Sequence, residues 1–256
     1  MRRPWPAKWI SHPEAGRESG VYHFRKTITV AERPASFRVH VTADNRYELF
    51  VNGGRAAVGP SRGDLHHWRY QTVDLAPHLK PGRNVVAAVV WNWSRYAPAA
   101  QISNETGFLM QGAAEREAVV NTPSGWKCLK NEAYAPLDRH RPGYPIGVLA
   151  GAGESVDGNK CPWGWEQPGY DDSAWAPAKP ISNAMPHGLR NDVDRWFLVP
   201  DTLPQMEEAD EPWRKMVRSS GGTLPGVIPA NTKAVILIDN GRVTTAYPEL
   251  TISGGR

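Results

Sequence analysis

Apolar and polar residues alternate with a period of two along the first half of the chain. In residues 22–30 the apolar positions share one parity, and residues 37–41 alternate strictly. Alternation among β-branched and aromatic residues is typical of strands with one buried face. Residues 85–91 form a continuous apolar run, which predicts a central strand buried on both faces.

Turn signals separate these strands. Residues 47–51 run into Asn52-Gly53, a strong hairpin signal because both residues tolerate positive φ, and Pro81-Gly82 marks a second turn. Short strands with turns between them predict an all-β chain, an antiparallel β-sandwich.

The second half of the chain predicts a different organisation. Residues 112–200 are rich in Pro, Gly and Trp, which indicates a loop-rich segment that closes the same sandwich. We therefore predict a β-sandwich over residues 1–200 and a linker over 201–226, in which the acidic stretch 206–211 is a short helix or part of the linker. The strand patterns at 234–238 and 250–252 predict the first strands of a further, truncated β-domain over 227–256, because some thirty residues cannot bury a core alone.

Composition narrows the class of protein. Of 256 residues, 40% are hydrophobic and 22% charged, enough apolar material for a packed core. The formal charge of +4 is mild and its basic residues are scattered, which argues against nucleic-acid binding. No apolar run approaches a membrane span and no secretory signal is visible, so we expect no membrane association and a cytoplasmic location. Cys128 and Cys161 are read as ordinary thiols.

Candidate catalytic groups are few. Asp171-Asp172 is a paired carboxylate, but adjacent strand residues point to opposite faces, so a turn capped by Asp and Ser, with Trp175 in the core, is the favoured reading. A small self-contained enzyme that uses Asp171, Asp172 or Glu105 is the weaker hypothesis. His66-His67 lacks a third metal ligand nearby.

Two other clusters carry binding chemistry. Asp44-Asn45 lies between two predicted strands, where it suits either a turn or a site for a hard cation or sugar hydroxyls. Trp91 and Trp93 share one parity and Asn92 the other, just before the loop at 94–98. Aromatic residues at a rim can stack on a pyranose face, and the alternative is that they fill the sandwich.

The chain resembles the N-terminal β-sandwich region of bacterial α-L-rhamnosidases of glycoside hydrolase family 78. The likeness rests on the Ala43–Gly53 stretch with its Asn52-Gly53 hairpin, the Asp171-Asp172-Ser173-x-Trp175 segment, and their order along the chain. Further matching stretches are residues 20–26, 70–75, 79–85, 165–175, 195–200, 204–207, 228–230 and 247–255. The resemblance implies a jelly-roll, galactose-binding-like sandwich.

The same resemblance implies what the chain does and lacks. The family's catalytic domain is a downstream α/α barrel that nothing here resembles, so we expect no catalytic residue. It implies a calcium-dependent sugar site, with Asp44, Asn45, Asn92 and Pro98 as metal ligands. Together with the rim aromatics Trp93 and Tyr96 of the cluster at 91–96, this gives Asp44, Asn45, Asn92, Trp93 and Tyr96 as the predicted sugar-binding residues.

Two functions follow as expectations. The first is a non-catalytic region that binds L-rhamnose or a related sugar with Ca²⁺, its partners being rhamnose-containing glycans and a downstream catalytic domain of the same parent chain. The alternative is a purely structural module that supports that catalytic domain. Either way, the fragment would belong to a glycoside hydrolase without being catalytic itself.

Overall fold

The structure is a computed structural model that describes residues 3–137, 153–189, 195–224 and 226–253. Its strands form two large sheets and two short antiparallel pairs. The chain divides into two units, Met1–Leu203 and Pro204–Arg256. The strands are β1 Lys8–Ser11, β2 Gly20–Val30, β3 Arg38–Asp44, β4 Arg46–Val51, β5 Gly54–Gly59, β6 Trp68–Asp74, β7 Gly82–Asn92, β8 Gly107–Gly112, β9 Lys127–Lys130, β10 Tyr134–Pro136, β11 Glu154–Val156, β12 Ala176–Pro177, β13 Lys179–Asn183, β14 Met185–Pro186, β15 Phe197–Pro200, β16 Lys215–Ser220 and β17 Val235–Asp239. Short 3-10 turns lie at Ala76–His78, Ser94–Tyr96, Arg116–Val120 and Gly158–Lys160.

The smaller sheet has six strands in the order β12-β9-β2-β7-β4-β5, all antiparallel. Its central strand β7 carries the predicted apolar run, and Val85 and Val86 on its opposite faces are both 0% exposed. The β4–β5 hairpin turns at Asn52 (φ 54°) and Gly53 (φ 86°), which confirms the turn predicted from their tolerance of positive φ.

The larger sheet has seven strands in the order β13-β1-β8-β3-β6-β15-β14. Most of its pairs are antiparallel, but β15 runs parallel to both β6 and β14. Residues 197–200, the last of the range predicted as the sandwich, form part of this sheet.

The main core lies between the two sheets and confirms the predicted all-β sandwich. Phe24 of the smaller sheet stacks on Phe108 of the larger one with ring centroids 5.4 Å apart, and Trp126 packs edge-on against Phe108. Each of these side chains is at most 2% exposed. The period-two alternation placed them on the inner faces.

A second apolar cluster covers the outer face of the larger sheet. Trp9 stacks on Trp196 at 4.4 Å and meets Trp68 edge-on at 6.5 Å, and Leu109 and Leu198 complete the cluster. Trp196 comes from the segment just before β15. The larger sheet is therefore buried on both faces, which accounts for tryptophans beyond the sandwich core.

Part of the outer face of the smaller sheet is covered by residues 161–175, here called the covering segment. Arg25 on β2 is 0% exposed, and its Nε lies 3.0 Å from the Asp172 carboxylate. Its Nη2 donates to the carbonyl oxygens of Gln167 and Tyr170, each at 3.1 Å. Lys127 on β9 approaches the same carboxylate to 2.8 Å. Asp172 thus ties the covering segment to two strands.

The favoured turn reading of Asp171 and Trp175 is confirmed. The Asp171 carboxylate accepts from the Ser173 backbone N–H at 2.9 Å, and Trp175 is 6% exposed. Sequence reasoning had grouped the two aspartates, but Asp172 has a separate role that depends on Arg25, 147 positions away in the chain.

His23 lies beneath the covering segment. Its ring is 4.2 Å from that of Trp165, and its Nε2 lies 2.9 Å from Asn131 Nδ2. Burial lowers the pKa of His23 from 6.5 to about 3, because a charged imidazolium would lose its hydration there.

The second unit contains the antiparallel pair β16–β17. Strand β17 agrees with the pattern at 234–238, whereas residues 250–252, predicted as a strand, form none. Strand β16 lies inside the range predicted as a linker, and its exposed Lys-Met-Val-Arg-Ser-Ser sequence gave no clear alternation. No helix forms at 206–211. Residues 254–256 of the predicted last segment lie outside the described residues.

Both cysteines are free thiols, with Cys128 buried and Cys161 partly exposed. Across the described ranges, no helix is long and apolar enough to cross a membrane.

The neighbouring aspartates provide a matched pair of variants. Asp172→Asn removes the negative charge beside the buried Arg25, so we expect the free energy of unfolding to fall by about 3–5 kcal/mol. Asp171→Asn keeps an oxygen that can cap the turn, so the free energy of unfolding should change little. Urea unfolding followed by tryptophan fluorescence measures both, and equal effects would contradict the assigned roles.

The buried His23 predicts a pH dependence. Below pH 6.5 the unfolded chain takes up a proton on His23, whereas the folded chain does so only near pH 3. The free energy of unfolding should therefore fall through this group as pH drops from 6.5 toward 3, with no contribution above 6.5. His23→Phe should flatten that decline in urea unfolding between pH 7 and pH 4.5. An unchanged slope would show that His23 does not cause it.

Candidate functional site

Asp44 ends β3 at one end of the sandwich and is 0% exposed. Its Oδ1 accepts from Ser103 Oγ at 2.7 Å and from Asn45 Nδ2 at 2.6 Å. Its Oδ2 accepts from the Asn104 backbone N–H at 2.7 Å and from Trp196 Nε1 at 3.0 Å. A carboxylate offers about four acceptor positions, so these donors saturate it.

Burial dominates the titration of this carboxyl. It raises the pKa of Asp44 above its usual 3.8, while the hydrogen bonds from Asn104, Ser103, Trp196 and Asn45 oppose that rise. The cluster contains no cation, so neutral donors alone offset the lost hydration.

Asn45 joins the two sheets. Its backbone N–H donates to the Trp91 carbonyl at 3.1 Å, and its Oδ1 accepts from the Trp93 backbone N–H at 3.0 Å. The peptide bond between Asp44 and Asn45 is cis. Asn45 therefore fixes the point where β7 ends and the next loop begins.

Asn92 completes the buried cluster at 2% exposure. Its Oδ1 accepts from the Ser94 backbone N–H at 2.7 Å, and its Nδ2 donates to Ser103 Oγ at 3.0 Å. Ser103 thereby bridges Asn92 and Asp44. Three of the predicted residues, Asp44, Asn45 and Asn92, do lie together.

The other predicted residues lie on residues 93–106, here called the rim loop. Trp93 and Tyr96 are half-buried, and the Tyr96 backbone N–H donates to the Trp93 carbonyl at 2.9 Å. Arg95 Nη2 donates to the Tyr96 hydroxyl at 2.7 Å. The Pro98 carbonyl, predicted as a metal ligand, accepts from the Gln101 N–H at 3.0 Å within a turn of this loop.

The oxygens of this cluster suit calcium by type, since carboxylate, amide and carbonyl oxygens are its usual ligands. Their placement does not suit it. Each Asp44 oxygen already accepts two hydrogen bonds, which leaves the carboxylate no free acceptor position for a cation. Within the described ranges, no group of three or more His, Cys, Asp or Glu side chains could hold a metal. As placed, these residues do not fit a calcium ion.

Sequence reasoning missed Ser103, Asn104 and Trp196. The polar pair Ser103-Asn104 lies near the end of the rim loop, shortly before β8. That position was the only local sign that these two residues could reach Asp44. Trp196 lies 152 residues after Asp44 and meets it only because its segment crosses the outer face of the larger sheet. No local pattern marks such a contact.

The carboxylates weighed for a self-contained enzyme are engaged elsewhere. Asp172 binds Arg25 and Asp171 caps its turn, while Glu105 lies 3.2 Å from Arg195.

The adjacent histidines are also used locally. His67 lies 3.2 Å from Asp64 and stacks on His187 at 4.8 Å, and His66 stacks on Phe197 at 5.8 Å.

Two packed sheets with a loop-bearing rim define a β-sandwich module. Comparison with known proteins identifies the family. The family described as Alpha-L-rhamnosidase N-terminal domain matches residues 32–193, and the chain belongs to this family.

Individual relatives agree. An α-L-rhamnosidase from Streptomyces avermitilis is 29% identical over 184 residues, which is 65% of this chain and 16% of that protein. The solved family 78 rhamnosidase of Bacillus sp. GL1 has a TM-score of 0.71 at 24% identity, over 87% of this chain and 22% of that one. The α-L-rhamnosidase from Dictyoglumus thermophilum has a TM-score of 0.53 at 21% identity, over 70% and 21% of the respective chains. The chain thus spans about a fifth of these relatives, and the structural matches show the fold.

The saturated carboxylate leads to a stability prediction. Asp44→Asn replaces one acceptor oxygen with an N–H₂ group that faces buried donors, so the free energy of unfolding should fall by about 2–4 kcal/mol. Urea unfolding measures the loss. Asp64→Asn, at an exposed position, is the control and should change the free energy of unfolding little. A neutral result at Asp44 would show that the carboxylate does not hold the rim loop.

Proposed function

We propose that this chain is a non-catalytic module of a larger α-L-rhamnosidase-like glycoside hydrolase and that its rim loop contacts rhamnose-containing glycans. The observation that carries the proposal is the pair of half-buried aromatic side chains, Trp93 and Tyr96, on a loop fixed from below. Such rings present an apolar face on which the C–H side of a pyranose can stack.

The buried polar cluster supports this role by ordering the loop in advance. Asn45 holds the Trp93 backbone, and Asp44 holds Ser103 and Asn104 at the other end of the loop. A loop ordered before binding loses less conformational entropy when the ligand arrives. In this proposal Asp44, Asn45 and Asn92 are positioning residues, and Trp93 and Tyr96 contact the sugar.

A calcium-dependent form of the proposal remains testable. It is supported by the oxygen types of Asp44, Asn45, Asn92 and Pro98, and it requires Asp44 to exchange some of its four donors for the ion. The hydrogen bonding of the described residues favours the metal-free form.

The second candidate is structural support of a downstream catalytic domain in the same parent chain. It is favoured by the short span of the match, since the chain covers 16% and 22% of two rhamnosidases. A purely supporting module would leave the rim loop without a ligand.

Isothermal titration with L-rhamnose separates these candidates. We expect binding heat both with calcium and with a chelator, a loss of that heat in Trp93→Ala, and no change in Trp213→Ala. Trp213 is 56% exposed in the second unit and so makes a matched control.

The other outcomes are equally informative. Heat that appears only with calcium would overturn the metal-free form and support the calcium-dependent one. If the folded chain gives no binding heat in either buffer, sugar binding is overturned and the supporting module is the function that is left.

A further inference from the structure

Trp91 and Trp93 differ from the other tryptophans in their surroundings. Among the described residues, Trp5, Trp9, Trp68, Trp126, Trp165, Trp175 and Trp196 contact another aromatic ring. Trp163 and Trp213 are 76% and 56% exposed. Trp91 and Trp93 are half-buried, and in the described part of the chain neither ring packs against another aromatic ring.

Trp91 lies on the outer side of the smaller sheet. Along β7 the core-facing side chains are Val86, Ala88 and Val90, so Trp91 faces away from the core and Asn92 continues the core side. The sequence had left it open whether Trp91 and Trp93 fill the sandwich, and this parity shows that Trp91 does not.

The two indoles line one groove. Its remaining wall is the β10–β11 hairpin, which contributes Tyr134 and Glu154, and its floor is Val21 at the start of β2. Tyr134 is 37% exposed. The groove therefore combines three aromatic side chains and one carboxylate, opening next to the rim loop through Trp93.

The walls of this groove are held in place. Val21 pairs with Trp91 across β2 and β7, and the Asn131 backbone N–H donates to the Val21 carbonyl at 2.8 Å. The hairpin is held where the Asp157 N–H donates to the Ala133 carbonyl at 2.9 Å. The aromatic faces are thus presented by strands and not by a loop alone.

We infer that this groove is a second carbohydrate subsite, which extends the rim contact along the outer face of the smaller sheet. Trp91 and Tyr134 stack on the apolar face of a neutral pyranose, and Glu154 accepts hydrogen bonds from its hydroxyls. This inference rests on the proposed function for the class of ligand, but it assigns binding roles to Trp91, Tyr134 and Glu154, which the rim site does not use.

The groove chemistry also allows one competing ligand. Aromatic side chains beside a carboxylate can bind an organic cation through cation–π contacts. A sugar is favoured because the groove adjoins Trp93 of the proposed rim site, so that one glycan can contact both.

Titration of the full 256-residue chain with a rhamnose-containing oligosaccharide, which can contact the rim and the groove together, tests the inference. We expect the dissociation constant to rise about tenfold in Trp91→Ala, because the stacking surface is lost, and severalfold in Glu154→Gln, because a charged acceptor is replaced by a neutral one. Trp163→Ala removes an exposed indole outside the groove and should leave the dissociation constant unchanged. Glu154→Gln preserves shape at an exposed position, so it remains informative if Trp91→Ala unfolds.

The variants separate this inference from the proposed function. Binding that is lost in Tyr96→Ala but unchanged in Trp91→Ala and Glu154→Gln would overturn the groove and leave the rim site. A wild-type chain that does not bind the oligosaccharide would overturn both. Choline that competes with the oligosaccharide and depends on Glu154 would show that the groove selects an organic cation, which also overturns the inference.

Discussion

The Asp44 carboxylate, buried among four neutral donors, is the interaction on which one end of this sandwich depends. The donors come from its chain neighbour, from both residues that close the rim loop, and from an indole that caps the larger sheet. A buried carboxylate without such donors would be costly, so strand, loop and outer layer must meet at this point. The same bonds hold the rim loop in the geometry that presents Trp93 and Tyr96.

Two of the buried charges, Asp44 and Arg25, are stabilised in different ways. Asp44 has hydrogen-bond donors only, whereas Arg25 has a carboxylate partner in Asp172 and two backbone carbonyls. In both cases a partner comes from a segment that covers the outside of a sheet, Trp196 for Asp44 and Asp172 for Arg25. Each of the two charges therefore anchors a segment that covers a sheet. Removing either charge would release a segment that contributes a buried tryptophan. Both sheets are therefore covered at least in part on their outer faces, which buries more apolar surface than a simple sandwich.

The family assignment and the geometry bear on different parts of the function. Membership in the α-L-rhamnosidase N-terminal domain family accounts for the sandwich. The surface chemistry comes from the particular residues at the rim and in the neighbouring groove. The oxygen cluster resembles a cation site in its composition, yet its hydrogen bonds are those of a structural joint, and this difference arises because donors from distant segments reach the same carboxylate.

The sequence by itself determined the strands whose pattern is local. The period-two alternation of residues 22–30 and 37–41, the apolar run at 85–91 and the Asn52-Gly53 turn each placed an element correctly, because strand burial repeats every second residue and turns need particular backbone angles. The resemblance to the rhamnosidase family also predicted that Asp44, Asn45 and Asn92 lie close together. Only the tertiary structure decided that Trp196 and Ser103 saturate Asp44, that Asp172 serves Arg25, and that Trp91 faces outward. Those contacts join segments far apart in the chain, and no local periodicity records which distant segment will cover a given face.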